Sequence, residues 1–334
     1  MKFNSKIMRI LSMLTVSAFT IMGASHGAVA KVTLQKVSFH NKLGINLVGN
    51  IRYPDGFDKS HKYPAIITVP PAGGAKEQTA GLYAQKMAEK GYVTLTMDAS
   101  FQGESGGTPR FKEDPITRVE DIRSAVDYLV SQSFVDENRI GILGICAGGG
   151  YSVSASMSER RIKAAGVVAP VNAGREMRAG GAEATIASLE AVAKQRTAEA
   201  QGEAPMIIPF IPDEYKTSDD IDLREAWQYY RTERGAVPNW QNKMRFTSMD
   251  AVTVFDAFYL SDSLLTQPLQ IIVGSKQGAF GSNKDGHDLY QRAASTHKDL
   301  MVLDGASHFD LYDKPEYVNQ AVAQLTKFYA ANLK

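Results

Sequence analysis

The chain has 334 residues, 44% hydrophobic and 22% charged, with a formal net charge of +1. That balance excludes a disordered or fibrous protein. No Lys/Arg block or stripe is present, which argues against a nucleic-acid partner, because phosphate binding needs clustered cations.

The first thirty residues read as a secretory signal. Lys2, Lys6 and Arg9 form a positive start, an apolar run spans 10–23, and Ala28-Val29-Ala30 supplies a cleavage site ahead of Lys31. The run is shorter than the roughly 18 to 20 residues of a spanning helix. The expectation is therefore export, to the periplasm or beyond, with no stable membrane insertion after cleavage. Loss of the three cations leaves a net charge of −2.

Two alternating runs, 32–39 and 44–52, predict an antiparallel hairpin. Tyr63–Val69 is a compact apolar strand running into Pro70-Pro71-Ala72-Gly73-Gly74, a loop that can be neither helix nor central strand. A helix is expected over 78–90. Strand 92–98, a Gly-rich loop and helix 118–131 repeat the unit. Further buried strands are predicted at 139–145, 163–171, 269–274 and 299–303. Helices are predicted just after Cys146, over 286–295 and over 315–333. Apolar strands alternating with amphipathic helices give an α/β fold, with a mostly parallel central sheet covered on both faces.

Residues 172–266 break this rhythm. Ala-rich 183–200 and aromatic 220–234 read as helices, around a Pro-bounded apolar segment at 205–212. The core is thus expected over 31–171 and 267–334, with 172–266 a mainly helical cap inserted between two strands. Trp227, Tyr229, Tyr230 and Trp240 would either line a pocket beneath it or pack as core.

Cys146 is the single cysteine, so no internal disulfide can form. On count alone it would be a small buried hydrophobe. Its setting, Gly144-Ile145-Cys146-Ala147-Gly148, is the G-x-S-x-G strand-to-helix elbow with sulfur in place of the hydroxyl. Such a turn needs near-absent side chains around it and projects the nucleophile into a pocket. Ala147 N–H is a candidate oxyanion donor, and the loop of Ala72, Gly73 and Gly74 supplies a second, with Gly73 preferred.

The base should follow the last strand, where His308 stands. His40 and His61 lie near the start, and His287 and His297 on or beside a helix. The acid is expected after strand 269–274. Asp285 is the nearest carboxylate and Asp288 the alternative, although both could instead serve a helix start. A Cys–His pair can also work without a strong acid. Lys76-Glu77-Gln78 and 102–105 flank the expected pocket mouth without an assigned chemistry. Metal ligation lacks a second cysteine and a histidine pair at ligand spacing, so no cofactor is expected.

Four segments carry a family resemblance: 75–84 (AKEQTAGLYA), 98–107 (DASFQGESGG), the elbow through Tyr151 (GICAGGGY), and 307–313 (SHFDLYD). In these the chain resembles bacterial α/β-hydrolases of the dienelactone hydrolase-like superfamily. The resemblance implies an α/β-hydrolase fold and cofactor-free hydrolysis of a small-molecule ester, lactone, thioester or peptide by Cys146 and His308. It departs from the pattern at the acid, since no Asp immediately follows Gly274. Two rivals remain open: a non-catalytic or redox-active binding protein on this scaffold, and an acyltransferase.

Overall fold

The computed structural model describes residues 31–212 and 220–334; the expected signal, 1–30, lies outside the described residues. The strands are β1 Thr33–His40, β2 Asn46–Tyr53, β3 Tyr63–Val69, β4 Val93–Met97, β5 Val135–Ile145, β6 Ile162–Val168, β7 Ile207–Ile208, β8 Met244–Arg245, β9 Leu269–Gly274 and β10 Lys298–Leu303. Eight of them form one sheet in the order β1-β2-β4-β3-β5-β6-β9-β10. β1–β2 and β2–β4 are antiparallel and every other neighbour is parallel.

The central strands are buried on both faces, as parallel strands under helices must be, so their sequences are mainly apolar, with Thr68, Thr94, Thr96 and Gln270 among the buried polar exceptions. Edge strand β1 alternates and is mostly exposed. Helices α1 (Thr79–Ala88) and, at the end of the chain, Pro315–Asn332 cover one face. Helices α2 (Pro115–Val130) and α3 (Ala147–Ser158) cover the other. Asp114 caps α2 by accepting from Ile116 and Thr117 N–H, with Pro115 at the first helical position.

Between β6 and β9 the described chain is mainly helical: α4 Ala173–Met177, α5 Gly181–Ala200, α6 Ile221–Tyr230, α7 Met249–Val254 and α8 Ser261–Leu264. It also holds a small antiparallel ribbon, β7 with β8.

Several boundaries differ from expectation, β5 and α2 beginning at Val135 and Pro115 ahead of the expected 139 and 118, and two bear on the site. The strand expected over 163–171 stops at Val168, where Ala169 adopts a φ of 45° ahead of Pro170. The helix expected from Gly286 begins four residues earlier, as α9 Ser282–Arg292. Gly286 is inside it because a Cβ there would lie 2.5 Å from Val273 Cγ1. The glycine is a packing contact rather than a helix start, and the shift decides which side chain meets His308.

Candidate active site

β5 delivers Cys146 to the carboxyl end of the sheet, and α3 begins one residue later. The cysteine holds φ 55° and ψ −129°, a conformation that costs a residue with a Cβ about 1–3 kcal/mol. Three backbone bonds hold it there: Cys146 N–H to Val168 O (3.1 Å), and Gly149 and Val171 N–H to Cys146 O (2.8 and 2.9 Å). The flanking glycines are steric necessities. A Cβ on Gly144 would lie 2.4 Å from Gly148 O, and one on Gly148 would lie 2.4 Å from Pro70 O.

The thiol is buried at one end of a cavity of about 300 Å³. It contacts two hydrogen-bonding groups, the Tyr312 hydroxyl and Ala147 N–H. Burial outweighs both and pushes the thiol up to about 12, helped by the negative charges of Glu176 and Asp222. The resting sulfur is therefore protonated.

His308 follows β10 and is 2% exposed. Its Nδ1 pairs with Ser282 Oγ at 2.9 Å, and its Nε2 pairs with the Tyr312 hydroxyl at 3.1 Å. Burial lowers its pKa to about 3, so the resting ring is neutral. Tyr312 lies in α10 (Asp310–Asp313), which is pinned to α1: Thr79 Oγ1 donates to Tyr312 O at 3.0 Å and the Tyr83 hydroxyl to Leu311 O at 2.9 Å. A continuous path results: Cys146 Sγ, Tyr312 hydroxyl, His308 ring, Ser282 hydroxyl.

The structure does not bring Asp285 to His308. Because α9 starts at Ser282, Asp285 falls in its first turn and faces α4. There Arg175 Nε and Nη2 donate to its carboxylate at 2.8 and 2.6 Å, and Asn172 N–H at 2.8 Å. Asp288 pairs with Arg292 at 3.3 Å, away from the ring. Asp310 is also engaged elsewhere, with Ser307 N–H at 3.0 Å and Lys314 Nζ at 2.6 Å.

Ala147 and the 70–74 loop meet at the cavity. Arg118 Nη2 donates to Pro70 O and Pro71 O at 2.8 and 3.2 Å, which fixes the loop. Pro71 and Ala72 stand on the wall beside Cys146. Gly73, with φ 64°, backs onto the Phe210 ring, 2.5 Å from where a Cβ would sit. Ala72 is thus nearer the sulfur-bearing wall than the Gly73 that small size alone favours.

Lys76 is completely buried and pairs with Asp98 (2.8 Å), Glu104 (2.6 Å) and Glu77 (2.9 Å). Burial alone would lower its pKa, but these carboxylates overcome that and raise it. The cluster ties the loop after β3 to the loop after β4, away from the cavity wall. Of the four aromatics, Tyr230 and Trp240 line the cavity, stacked at 5.1 Å. Tyr229 packs edge-on against Tyr312 at 5.0 Å, and Trp227 packs on the core.

Tyr312 and Ser282 are the residues that sequence reasoning passes over. The four-residue spacing from His308 to Tyr312 could have signalled the first. Nothing local signals the second. Among the described residues no group of three or more His, Cys, Asp or Glu is placed to hold a metal ion, and no helix is long and apolar enough to cross a membrane.

A mostly parallel sheet with an elbow after its fifth strand and a histidine after its last defines an enzyme of the α/β-hydrolase class. The profile of the Dienelactone hydrolase family matches residues 54–191. Protein YcjY of Escherichia coli K12 is 42% identical over 306 residues, covering 89% of this chain and 99% of that protein. The crystal structure of the hypothetical protein PA2218 from Pseudomonas aeruginosa superposes with a TM-score of 0.84 at 30% identity, covering 97% of this chain and all of that one. The α/β-hydrolase GrgF of a Penicillium species shares the fold, with a TM-score of 0.71 at 20% identity over 90% of this chain and 99% of that one. By sequence the same Penicillium protein, named a polyketide transferase, is 28% identical over 167 residues, half of this chain and 55% of its own length. The chain belongs to the dienelactone hydrolase family and is a hydrolase.

Proposed function

We propose that this hydrolase cleaves a small carboxylic ester, lactone or thioester through a thioester acyl-enzyme on Cys146, with His308 as base. One observation carries the reading: the elbow cysteine faces an apolar cavity and is linked to the buried His308 through the Tyr312 hydroxyl.

Thiol and imidazole both rest neutral, so the thiolate forms only as the substrate carbonyl arrives. Tyr312 gives its proton to His308 Nε2 while taking the thiol proton, and Sγ adds to the carbonyl carbon. Ala147 N–H and an N–H of the 72–73 loop receive the oxyanion. Collapse breaks the bond to the leaving alcohol or thiol, which takes its proton back along the same path. Water then attacks the thioester with His308 again as base. Ser282 accepts from Nδ1–H and so keeps Nε2 free as acceptor, the orienting part that a carboxylate plays elsewhere. A serine supplies no negative charge, so the imidazolium is stabilised less.

The experiment is incubation of the enzyme with p-nitrophenyl and thioester acyl substrates, followed by intact and peptide mass spectrometry. An acyl adduct on Cys146 and loss of turnover in Cys146→Ala are expected. Turnover that survives this substitution would overturn the mechanism and favour a binding or redox role for the thiol.

Transfer of the acyl group to an acceptor other than water is the second reading, supported by the name of the Penicillium relative. Product analysis with added alcohols and amines separates the two. Export is proposed from the charge and hydropathy pattern of residues 1–30. Recovery from the periplasm or medium of a chain beginning at Lys31 tests it.

A further inference from the structure

The cavity wall is apolar over most of its extent, with Val171, Met177, Phe210 and Val252 among its residues. Among the described residues its only formally charged ones are two glutamates, Glu113 and Glu176, and no described lysine or arginine lines it. Glu113 is 2% exposed. The Tyr151 hydroxyl donates to its Oε1 at 2.9 Å, and Arg118 Nε lies 3.7 Å from the same oxygen. Its Oε2 is buried without a hydrogen-bond partner among the described residues. The backbone is held as well, since Glu113 N–H donates to Ser248 Oγ at 3.0 Å. Glu176, on α4, makes no side-chain hydrogen bond among the described residues. Burial raises its carboxyl to about 7, opposed by Arg175 and reinforced by Asp285 and Asp222.

A buried acceptor without a donor stays unsatisfied until a ligand supplies one. Among the described residues two carboxyl groups and no cation stand on this apolar wall, and in their ionised state they repel a third. We propose that the acyl pocket selects an acyl group that is apolar apart from one hydrogen-bond donor, a hydroxyl or an amine, and rejects acyl groups ending in a carboxylate. Glu113 and Glu176 are the specificity-determining residues. This rests on the acyl-enzyme reading above and adds to it the chemistry of the acyl part.

The test compares N-acetylcysteamine thioesters of hexanoic, 3-hydroxyhexanoic, 6-hydroxyhexanoic, 6-aminohexanoic and adipic acids, by kcat/KM and by Cys146 adduct formation. At least one hydroxyl- or amine-bearing substrate should exceed hexanoyl by about tenfold, as expected when a donor meets an unsatisfied buried acceptor. The adipoyl half-thioester should fall about tenfold or more below hexanoyl. Glu113→Gln and Glu176→Gln should each raise the adipoyl-to-hexanoyl ratio, a relative gain that misfolding cannot produce. An adipoyl substrate equal to hexanoyl in the native enzyme, or ratios unmoved in both variants, would overturn the selectivity. If hexanoyl still acylates Cys146, that failure belongs to this inference alone. If no thioester is turned over and Cys146 stays unmodified, the acyl-enzyme reading fails with it.

Discussion

The Tyr312 hydroxyl sits 3.1 Å from Nε2 of His308 and also hydrogen-bonds the Cys146 thiol. Imidazole and sulfur are therefore linked through a phenol whose helix is held by α1 on one side and whose ring packs on Tyr229 on the other. If the phenol carries the proton, its oxygen is indispensable while its ring is merely packing.

Tyr312→Phe keeps the ring and removes the bridge. The expected result is a fall in kcat/KM of about 10²-fold or more, with stability lowered by only about 1 kcal/mol. Stopped-flow acylation with a denaturant melt on the same sample checks both. An unchanged acylation rate would mean that the ring moves aside and His308 reaches the sulfur directly.

Ser282→Ala and Asp285→Asn separate the two candidates for orienting His308. The serine variant should lower kcat/KM by about tenfold through loss of a neutral hydrogen bond. Asp285→Asn should lower stability by about 2–4 kcal/mol, because Arg175 loses its anionic partner, and act on kcat/KM only through that loss. A larger direct effect of Asp285→Asn on folded enzyme would place the acid there after all.

Burial holds His308 neutral down to about pH 3. The acid limb of kcat/KM should therefore show no inflection near 6.5, where an ordinary histidine protonates. The same shift acts on stability. Between pH 6.5 and 3 the unfolded chain binds a proton at His308 that the native state refuses. Stability contributed by the neutral ring is complete above 6.5 and falls as pH drops through that window. His308→Asn should flatten that part of the stability–pH curve.

Glu176 behaves in the opposite sense. Its folded carboxyl titrates near 7, above the usual carboxylate range. The native state thus holds a proton that the unfolded chain has released, and stability declines as pH rises from about 4.5 to 7. Glu176→Gln should be more stable than the native enzyme by roughly 2–3 kcal/mol at pH 8, with the difference vanishing below pH 4. Denaturant melts at the two pH values decide it.

Gly148→Ala drives a methyl to 2.4 Å from Pro70 O, a backbone atom that Arg118 also holds. The expected loss is above about 3 kcal/mol, or failure to fold. Ala147→Gly, which leaves the same backbone free of contact, should cost about 1 kcal/mol. Equal effects would mean that the elbow yields more easily than its geometry implies.

The sheet was legible because Ile66-Ile67, Val93 to Met97 and Ile271 to Val273 are buried on both faces and are mostly apolar, with Thr94 and Thr96 the buried hydroxyls among them. The elbow was legible because both of its glycines stand in one short segment, although only Gly144 is required by a local contact, with Gly148 O, whereas Gly148 is required by Pro70 O on a distant loop. The position of His308 followed from its place after the last strand. Ser282 was hidden for a physical reason: Gly286 looks like a boundary but is a helix–sheet contact, so the first turn that carries Ser282 reads as loop. Asp285 itself is bound by Arg175, 110 residues earlier, a pairing that only the folded chain reveals. Lys76 likewise gave no sign that it would be wholly buried among three carboxylates.

The buried, protonated state of Cys146 has a consequence for the lifetime of the protein. Peroxide and disulfide chemistry begin from the thiolate. With the thiol held near 12, only about one molecule in 100,000 carries a thiolate at pH 7. In an oxidising compartment a lone exposed cysteine would be steadily consumed. Here burial, with the nearby Glu176 and Asp222 charges, keeps the sulfur protonated against the opposing pull of the Tyr312 hydroxyl, so the conditions that make it slow to ionise also make it slow to oxidise.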